Sequence, residues 1–308
     1  DTATLIVRAG GFAEKRQPLT SSDNEVILSP AGLLETVTVT PTRSEQRLGN
    51  IPASVTVVDA EQIRQSPALV ADDILRQVPT FSLFRRSSSI TAQPTTQGVS
   101  LRGIGPSGVS RTLVLLDGVP FNDPFGGWVY WTRVPTENLD RVEIVEGPSS
   151  SLYGNYAMGG VINLVSSPAS RRTVELRSQY SSLGSPKFAA FGSDVWGKFS
   201  VLGQASVFDT DGFANVARSE RGPVDVNAAV VFRQFSVKAD YAPTNRVRAF
   251  GRVGYFREER NNGKVTSIDA TPTPELNDTT WTAVNGGVRV GLPDSSAVQA
   301  TVFGDFPT

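Results

Sequence analysis

From residue 171 to the end, the chain holds segment after segment in which apolar and polar side chains alternate, and many of the polar positions carry charge. In residues 173–180, Val174, Leu176 and Tyr180 fall on one face and Glu175, Arg177 and Gln179 on the other. Phe199, Val201, Gly203, Ala205 and Val207 alternate with Ser200, Leu202, Gln204 and Ser206. Phe235, Val237, Ala239 and Tyr241 alternate with Gln234, Ser236, Lys238 and Asp240, and Val247, Ala249, Val253 and Tyr255 with Arg246, Arg248 and Arg252. A period of two belongs to strands. The pattern predicts seven strands, near 172–182, 187–195, 197–209, 226–241, 245–258, 279–292 and 297–305.

A buried core does not accept unpaired charge, so the polar face must meet water or partners while the other face meets something apolar. Tyr180, Tyr241, Tyr255 and Trp281 fall towards segment ends. Apolar-out, polar-in alternation with aromatic girdles is the pattern of an outer-membrane barrel; a soluble β-sandwich gives similar alternation. Some connections are tight, as at 242–245, and others long and polar, as at 257–278.

Composition removes many alternatives. Of 308 residues, 29 are basic and 30 acidic, so the net charge of −1 gives no global attraction to nucleic acid. There is no cysteine and no histidine, which excludes disulfides, Cys or His metal sites and Ser-His or Cys-His catalytic pairs. No stretch has the apolar length of a transmembrane helix. The chain opens on Asp1 without a signal peptide, which reads as a cut or processed end.

Ahead of residue 171 the character differs. Residues 1–34 hold two strand-like runs, 3–9 and 25–28, around a polar turn. In Glu35-Thr-Val-Thr-Val-Thr-Pro-Thr-Arg43 every residue from Thr36 to Thr40 is β-branched, predicting an extended segment that Pro41 ends. A short strand outside any obvious sheet is an exposed edge, which makes sense if a partner pairs with it. Residues 51–168 read as a compact α/β domain. A strand at 54–58 is followed by a capping-box helix start at Asp59–Gln62. A second helix is expected from Pro67 through Leu75, with strands at 81–85, 99–102, 112–116, 141–145 and 161–165. Two long loops, 86–98 and 121–135, interrupt them.

Gly103, Gly105 and Gly108 have the G-x-G-x-x-G spacing of a dinucleotide site. That fingerprint must open a helix. Here Pro106 sits inside it, and residues 112–116 form another strand, ended by the turn pair Asp117-Gly118. Likewise Gly147-Pro148 through Gly154 lacks the lysine of a phosphate loop. Glu143 and Glu146, three apart on a strand, face opposite ways and do not converge as a catalytic pair. No constellation supports an enzyme.

Several segments occur together in one order: Glu35–Arg43, Leu101-Arg102-Gly103, Val114–Pro120 and Arg141–Asn163. In that order they resemble a TonB-dependent outer-membrane receptor, the first being similar to its Ton box and the rest to the signature segments of its plug domain. Residues 5–13 resemble the last strands of a carboxypeptidase-regulatory-like sandwich. The resemblance implies an α/β plug domain followed by antiparallel transmembrane β-barrel strands. The domains would be 1–34, the end of the sandwich; 35–50, Ton box and linker; 51–170, plug; and 171–308, the first seven or so barrel strands. A barrel that holds a plug needs about 22 strands, so the chain is expected to be a fragment, cut at both ends.

The resemblance further implies active import without a cofactor. Glu35, Thr36, Val37, Thr38, Val39 and Thr40 would bind the TonB C-terminal domain, energised by its inner-membrane complex, by strand addition. Arg102 and Arg141 would lock the plug to the wall through acidic partners beyond residue 308, or else be solvated strand-end arginines. Arg86, Ser88, Gln93, Thr96, Phe121, Asn122, Trp128, Tyr130 and Trp131 would face an unknown small-molecule or oligomeric substrate; the tryptophans and Tyr130 could equally pack plug against barrel. Gly103, Gly105 and Gly108 would bend strand 99–102 back into strand 112–116, and Asp117, Gly118, Gly147 and Pro148 would make turns. The barrel exterior would meet outer-membrane lipid, with the N-terminal part in the periplasm. The alternatives are a signal-transducing receptor of the same architecture and a non-energised β-rich structural or adhesion protein.

Overall fold

The computed structural model describes residues 4–7, 15–18, 26, 37–38, 46–47, 53–85, 87–104, 110–222, 224–261, 264–265, 272–273, 276–293 and 296–308. It divides into two units, 1–52 and 53–308.

In the first unit, β1 (Thr4–Val7) pairs antiparallel with β2 (Lys15–Pro18). The partner of β1 is the polar segment 15–18; of the expected run 25–28 only Val26 is among the described residues, and it lies outside any strand. A two-stranded hairpin is common to many folds and carries no argument for a sandwich. The β-branched run supplies β3 (Val37–Thr38), which pairs with β4 (Gln46–Arg47). The expectation of an isolated strand is corrected: the polar segment after Pro41 folds back as its partner.

The second unit begins with β5 (Ser54–Asp59) and α1 (Ala60–Gln65). The expected capping box is present. Asp59 Oδ1 accepts from Gln62 N at 2.9 Å, and Gln62 Oε1 accepts from Asp59 N at 3.0 Å. Ser66 precedes Pro67, which holds it extended at ψ 134° and ends the helix. The second helix, α2 (Ala71–Leu75), starts later than the expected Pro67. Ser66 Oγ accepts from Ala68 N at 3.3 Å, a local turn that competes with helix at that point.

Next come β6 (Phe81–Leu83), β7 (Val99–Leu101), β8 (Thr112–Leu116), β9 (Val119–Pro120), β10 (Leu139–Glu146), α3 (Ser150–Tyr153) and β11 (Gly160–Ser166). One five-stranded sheet runs β5-β10-β11-β8-β9, antiparallel except for the parallel pair β11–β8. Alternation divides its side chains between two faces. Val114, Leu116, Val142, Ile144, Ile162 and Leu164 join the main core with Ile74, Leu75, Phe81 and Trp131. Leu113, Leu115, Val145 and Val161 pack with Ala157 on the other side. A strand covered on both faces reads as a continuous apolar run, which is why β8 is Thr-Leu-Val-Leu-Leu.

Strand β7 does not return into β8. It pairs with β6. The turn after it has Arg102 and Gly103 at φ 55° and 70°, with Ile104 N donating to Leu101 O at 3.0 Å. Gly103 thus provides the expected positive φ, whereas Gly105 and Gly108 lie outside the described residues.

The rest is one sheet of consecutive antiparallel neighbours: β12 (Thr173–Ser181), β13 (Ser185–Trp196), β14 (Phe199–Thr210), β15 (Ala229–Thr244), β16 (Val247–Asn261), β19 (Leu276–Gly291) and β20 (Ala297–Pro307). A small hairpin, β17 (Lys264–Val265) with β18 (Pro272–Thr273), sits between β16 and β19. The seven expected strands are all present. The apolar face is open, with Val174, Leu176 and Tyr180 78–79% exposed. On the opposite face Gln204, Ser206, Arg252, Glu258 and Arg260 are buried, covered by the α/β domain.

Candidate functional site: a polar seam between the domain and the strand wall

The α/β domain meets the inner face of the wall mainly through charge. At the turn after β8, Asp117 and Gly118 adopt φ 53° and 80°. The Asp117 carboxylate accepts from Ser166 N at 2.8 Å and Ser166 Oγ at 2.7 Å. It also lies 3.4 Å from Lys238 Nζ and 3.1 Å from Arg252 Nη1. Lys238 and Arg252 are direct cross-strand partners on β15 and β16. Like charges so placed repel, and the intervening carboxylate relieves that repulsion. Burial pushes the Asp117 carboxyl up, but Lys238, Arg252 and the Ser166 hydrogen bonds outweigh it and hold it below the ordinary range.

Two further ion pairs cross the seam. Arg133 Nη1 reaches Asp305 of β20 at 3.1 Å, and Nη2 donates to Phe121 O at 3.0 Å. The guanidinium lies 4.0 Å from the Phe121 ring centroid and 4.2 Å from that of Trp281. Burial lowers its pKa and Asp305 offsets part of that. Lys187 Nζ of β13 meets Glu137 Oε1 at 2.7 Å and donates to Leu69 O at 3.0 Å. An apolar patch adjoins these pairs. Tyr130 packs on Trp281 with centroids 5.5 Å apart, and Val70 joins Phe208, Phe232 and Phe256 of the wall. Beside Arg133 a cavity of about 60 Å³ separates Leu116 and Phe121 from Gln204, Ser236 and Trp281, roomy enough for a few waters.

The expected site residues have varied fates. Val37 and Thr38 lie in β3; Glu35, Thr36, Val39, Thr40 and Arg86 lie outside the described residues. Arg102 is exposed in its turn rather than in a strand, and among the described residues it makes no ion pair. Arg141 has acidic partners on its own strand: Asp140 and Glu143, each at 2.8 Å. Within the described residues Arg141 is thus paired inside the domain, with Glu143 two residues along the same strand face.

Ser88 Oγ donates to Asp73 of α2 at 2.8 Å, tying the loop to that helix, and Thr96 Oγ1 donates to Gln93 O at 2.7 Å within the loop itself. Trp131 is 1% exposed in the domain core, edge-on to Phe81 at 5.9 Å, and cannot present its ring to a ligand. Asn122 is buried, its Oδ1 accepting from Val114 N at 2.7 Å and its Nδ2 donating to Gly127 O at 2.9 Å; Phe121 is buried beneath Arg133. The substrate-facing expectation is corrected for these three: the loop folds inward to satisfy its backbone and bury its rings. Tyr130 packs against the wall, and the half-buried Trp128 lies across Gly126, where a Cβ would stand 1.7 Å from its ring. Gly147 makes its turn at φ 106°, with Pro148 exposed after it.

Sequence reasoning missed Asp117 as an ion-pair centre, and missed Arg133, Glu137, Lys187, Lys238, Arg252 and Asp305. One signal was available: the period of two puts both Lys238 and Arg252 on the polar face of neighbouring strands; their direct pairing depends on a register shift between Tyr241 and Thr244 that the sequence does not announce.

Residues 47–161 match the family described as the TonB-dependent Receptor Plug Domain. The vitamin B12 transporter BtuB of Vibrio vulnificus (strain CMCP6) is 34% identical over 131 residues, covering 42% of this chain and 20% of that protein. The ferric enterobactin receptor of Pseudomonas aeruginosa is 28% identical over 206 residues, covering 62% and 26%. Among solved structures, the siderophore receptor PirA from Acinetobacter baumannii superposes with a TM-score of 0.65 at 19% identity, over 82% of this chain and 40% of that one. The chain thus spans 20–26% of the length of these two curated relatives.

Proposed function

We infer the activity from the family: the chain carries the plug domain of the TonB-dependent receptors, joined to strands of their outer-membrane barrel, and we assign it energised import across that membrane. One observation carries this reading. The plug is seated on the wall by ion pairs largely shielded from water, above all Asp117, its side chain 13% exposed, with Lys238 at 16% and Arg252 at 9%. A permanent core would be apolar; buried ion pairs give little net stability over water, so they suit a part that must leave its seat.

Drive would enter through residues 35–40. Main-chain hydrogen bonds to the TonB C-terminal domain would grip the segment, at about 0.5–1.5 kcal/mol net for each bond. Strand β3 already pairs with Gln46–Arg47, so TonB would displace β4 or use the other edge. The substrate belongs to the scarce, bulky class to which B12 and ferric siderophores belong.

The test is a titration of a peptide of residues 33–44 against a TonB C-terminal domain, beside the same peptide with Val39→Pro. Binding that proline abolishes is expected. In a receptor-deleted strain, the full-length protein should restore TonB-dependent uptake of cyanocobalamin, ferric enterobactin or a related compound. A peptide that fails to bind beside a working control peptide would overturn the coupling.

A further inference from the structure

A second network crosses the seam away from the Asp117 clamp, and it joins four separated segments. Arg260 of β16 is 1% exposed. Its Nη1 donates to Ile90 O at 2.9 Å, its Nη2 to Ser89 O at 2.7 Å and its Nε to Glu258 Oε1 at 3.0 Å. Ser89 donates to Asp72 of α2 twice, from N at 3.0 Å and from Oγ at 2.5 Å. The other Glu258 oxygen accepts from Thr132 Oγ1 at 2.5 Å. Asp72, Ser89, Thr132, Glu258 and Arg260 are all buried. The wall residue thus holds the loop 87–98 by two carbonyls and reaches the segment after loop 121–130 through Glu258; Ser89 carries the connection on to α2.

We propose that Arg260 is a positioning residue that couples the loops 87–98 and 121–133 to helix α2, so that displacing either loop is felt at Asp72. The proposal rests on the import reading, in which a substrate arriving over the plug would displace the loop 87–98 or the exposed part of the segment that follows Asn122. The physics is that of a rigid fork. A guanidinium presents its donors in one plane at fixed angles, so Ser89 O, Ile90 O and Glu258 are satisfied together or not at all. Buried polar groups left half-paired are worse off than a network fully made or fully released. A released arrangement, alternative to the fully made one seen here, is what the proposal adds, and two such arrangements are what a coupling element needs. Apolar contacts run alongside it: Ile90 and Val70, the latter immediately before α2, pack in the same cluster with Phe208 and Phe232.

Hydrogen–deuterium exchange on the full-length receptor, with no substrate and no TonB, tests the coupling. In Arg260→Lys, which keeps the charge and loses the fork, amides of 71–75, 87–92 and 131–133 should exchange about tenfold faster together, while those of β10 and β11 stay unchanged. Thr132→Val removes one hydroxyl at nearly constant volume. It should speed exchange at 71–75 as well, though residue 132 makes no hydrogen bond to that helix. The double variant of Asp72→Asn with Arg260→Lys should exchange at 71–75 no faster than Arg260→Lys alone, because both break one network.

Acceleration confined to 87–92, or additive effects in the double variant, would overturn the coupling and leave Arg260 a local brace. Should Arg260→Lys fail to assemble, Thr132→Val carries the same decision, its 71–75 amides either accelerating or keeping the wild-type rate. Uptake is measured separately, so loss of the import reading and loss of this coupling give different results.

Discussion

Inside the plug, Val114, Val142, Ile144, Ile162 and Leu164 interlock with Leu75, Phe81 and Trp131, almost without polar atoms. Between plug and wall the contacts are less deeply buried and charged: Asp117 with Lys238 and Arg252, Arg133 with Asp305, and Glu137 with Lys187. The first kind of contact is non-directional and has no substitute in water. The second can be exchanged for hydration at modest net cost once both partners are released together. The plug is thus built to stay whole while separable from its seat.

The largest effect should come from attacking the interior. Trp131→Ala should destabilise the plug by about 3–5 kcal/mol through cavity formation, read as loss of amide protection in β10 and β11. Asp117→Ala should leave that protection intact and still cost about 3–5 kcal/mol at the seam, because two buried cations lose their counter-charge. Its signature is ion leakage through the receptor in planar bilayers. Replacing Asp117, Lys238 and Arg252 together by Leu, Met and Met should close the leak again; a persistent leak would mean the seam needs charge for more than retention.

Acid separates the two regions further. Burial and the neighbouring Asp73 push the Asp72 carboxyl up to about 6, against the hydrogen bonds of Ser89 and the charge of Arg76. Its native state holds the proton more tightly than the unfolded chain. The stability this adds is complete below about pH 4 and lost as pH rises through about 6, an effect on the order of 3 kcal/mol. Asp117 is shifted the other way: its contribution is complete above about pH 4 and lost only as pH falls further. Between pH 7 and 5, then, the plug interior should tighten while the clamp holds, and Asp72→Asn should flatten the profile of plug melting.

Two smaller effects lie at the surface. Asp59→Ala removes the capping box of α1 and should lower plug stability by about 1 kcal/mol. Arg257 pairs with Asp278 in full exposure on the wall, and Arg257→Ala should change neither melting nor conductance measurably.

The wall was legible in the sequence almost residue by residue, because a strict period of two with one lipid-type face leaves no other register. The capping box at Asp59 was equally plain, being local. What escaped was pairing between segments: β7 with β6, Gln46–Arg47 with β3, and the ion pairs of the seam, whose partners lie from 50 to 172 positions apart. Trp131 and Asn122 were misjudged for a related reason. An aromatic, polar loop looks like a binding surface, and nothing in the string of letters says that its rings turn inward. Asp117 looked like punctuation between strands because its turn chemistry is visible locally and its cations are not.

Lys238 and Arg252 face one another whether or not Asp117 lies between them. With the plug in place one carboxylate offsets one of the two positive charges and screens the pair from each other; without it, two adjacent strands would present bare cations across a single rung. An empty lumen therefore carries an electrostatic tension that a full one lacks. On the proposed import cycle, work done to withdraw the plug would be partly stored in that rung and returned when Asp117 comes back between the two cations.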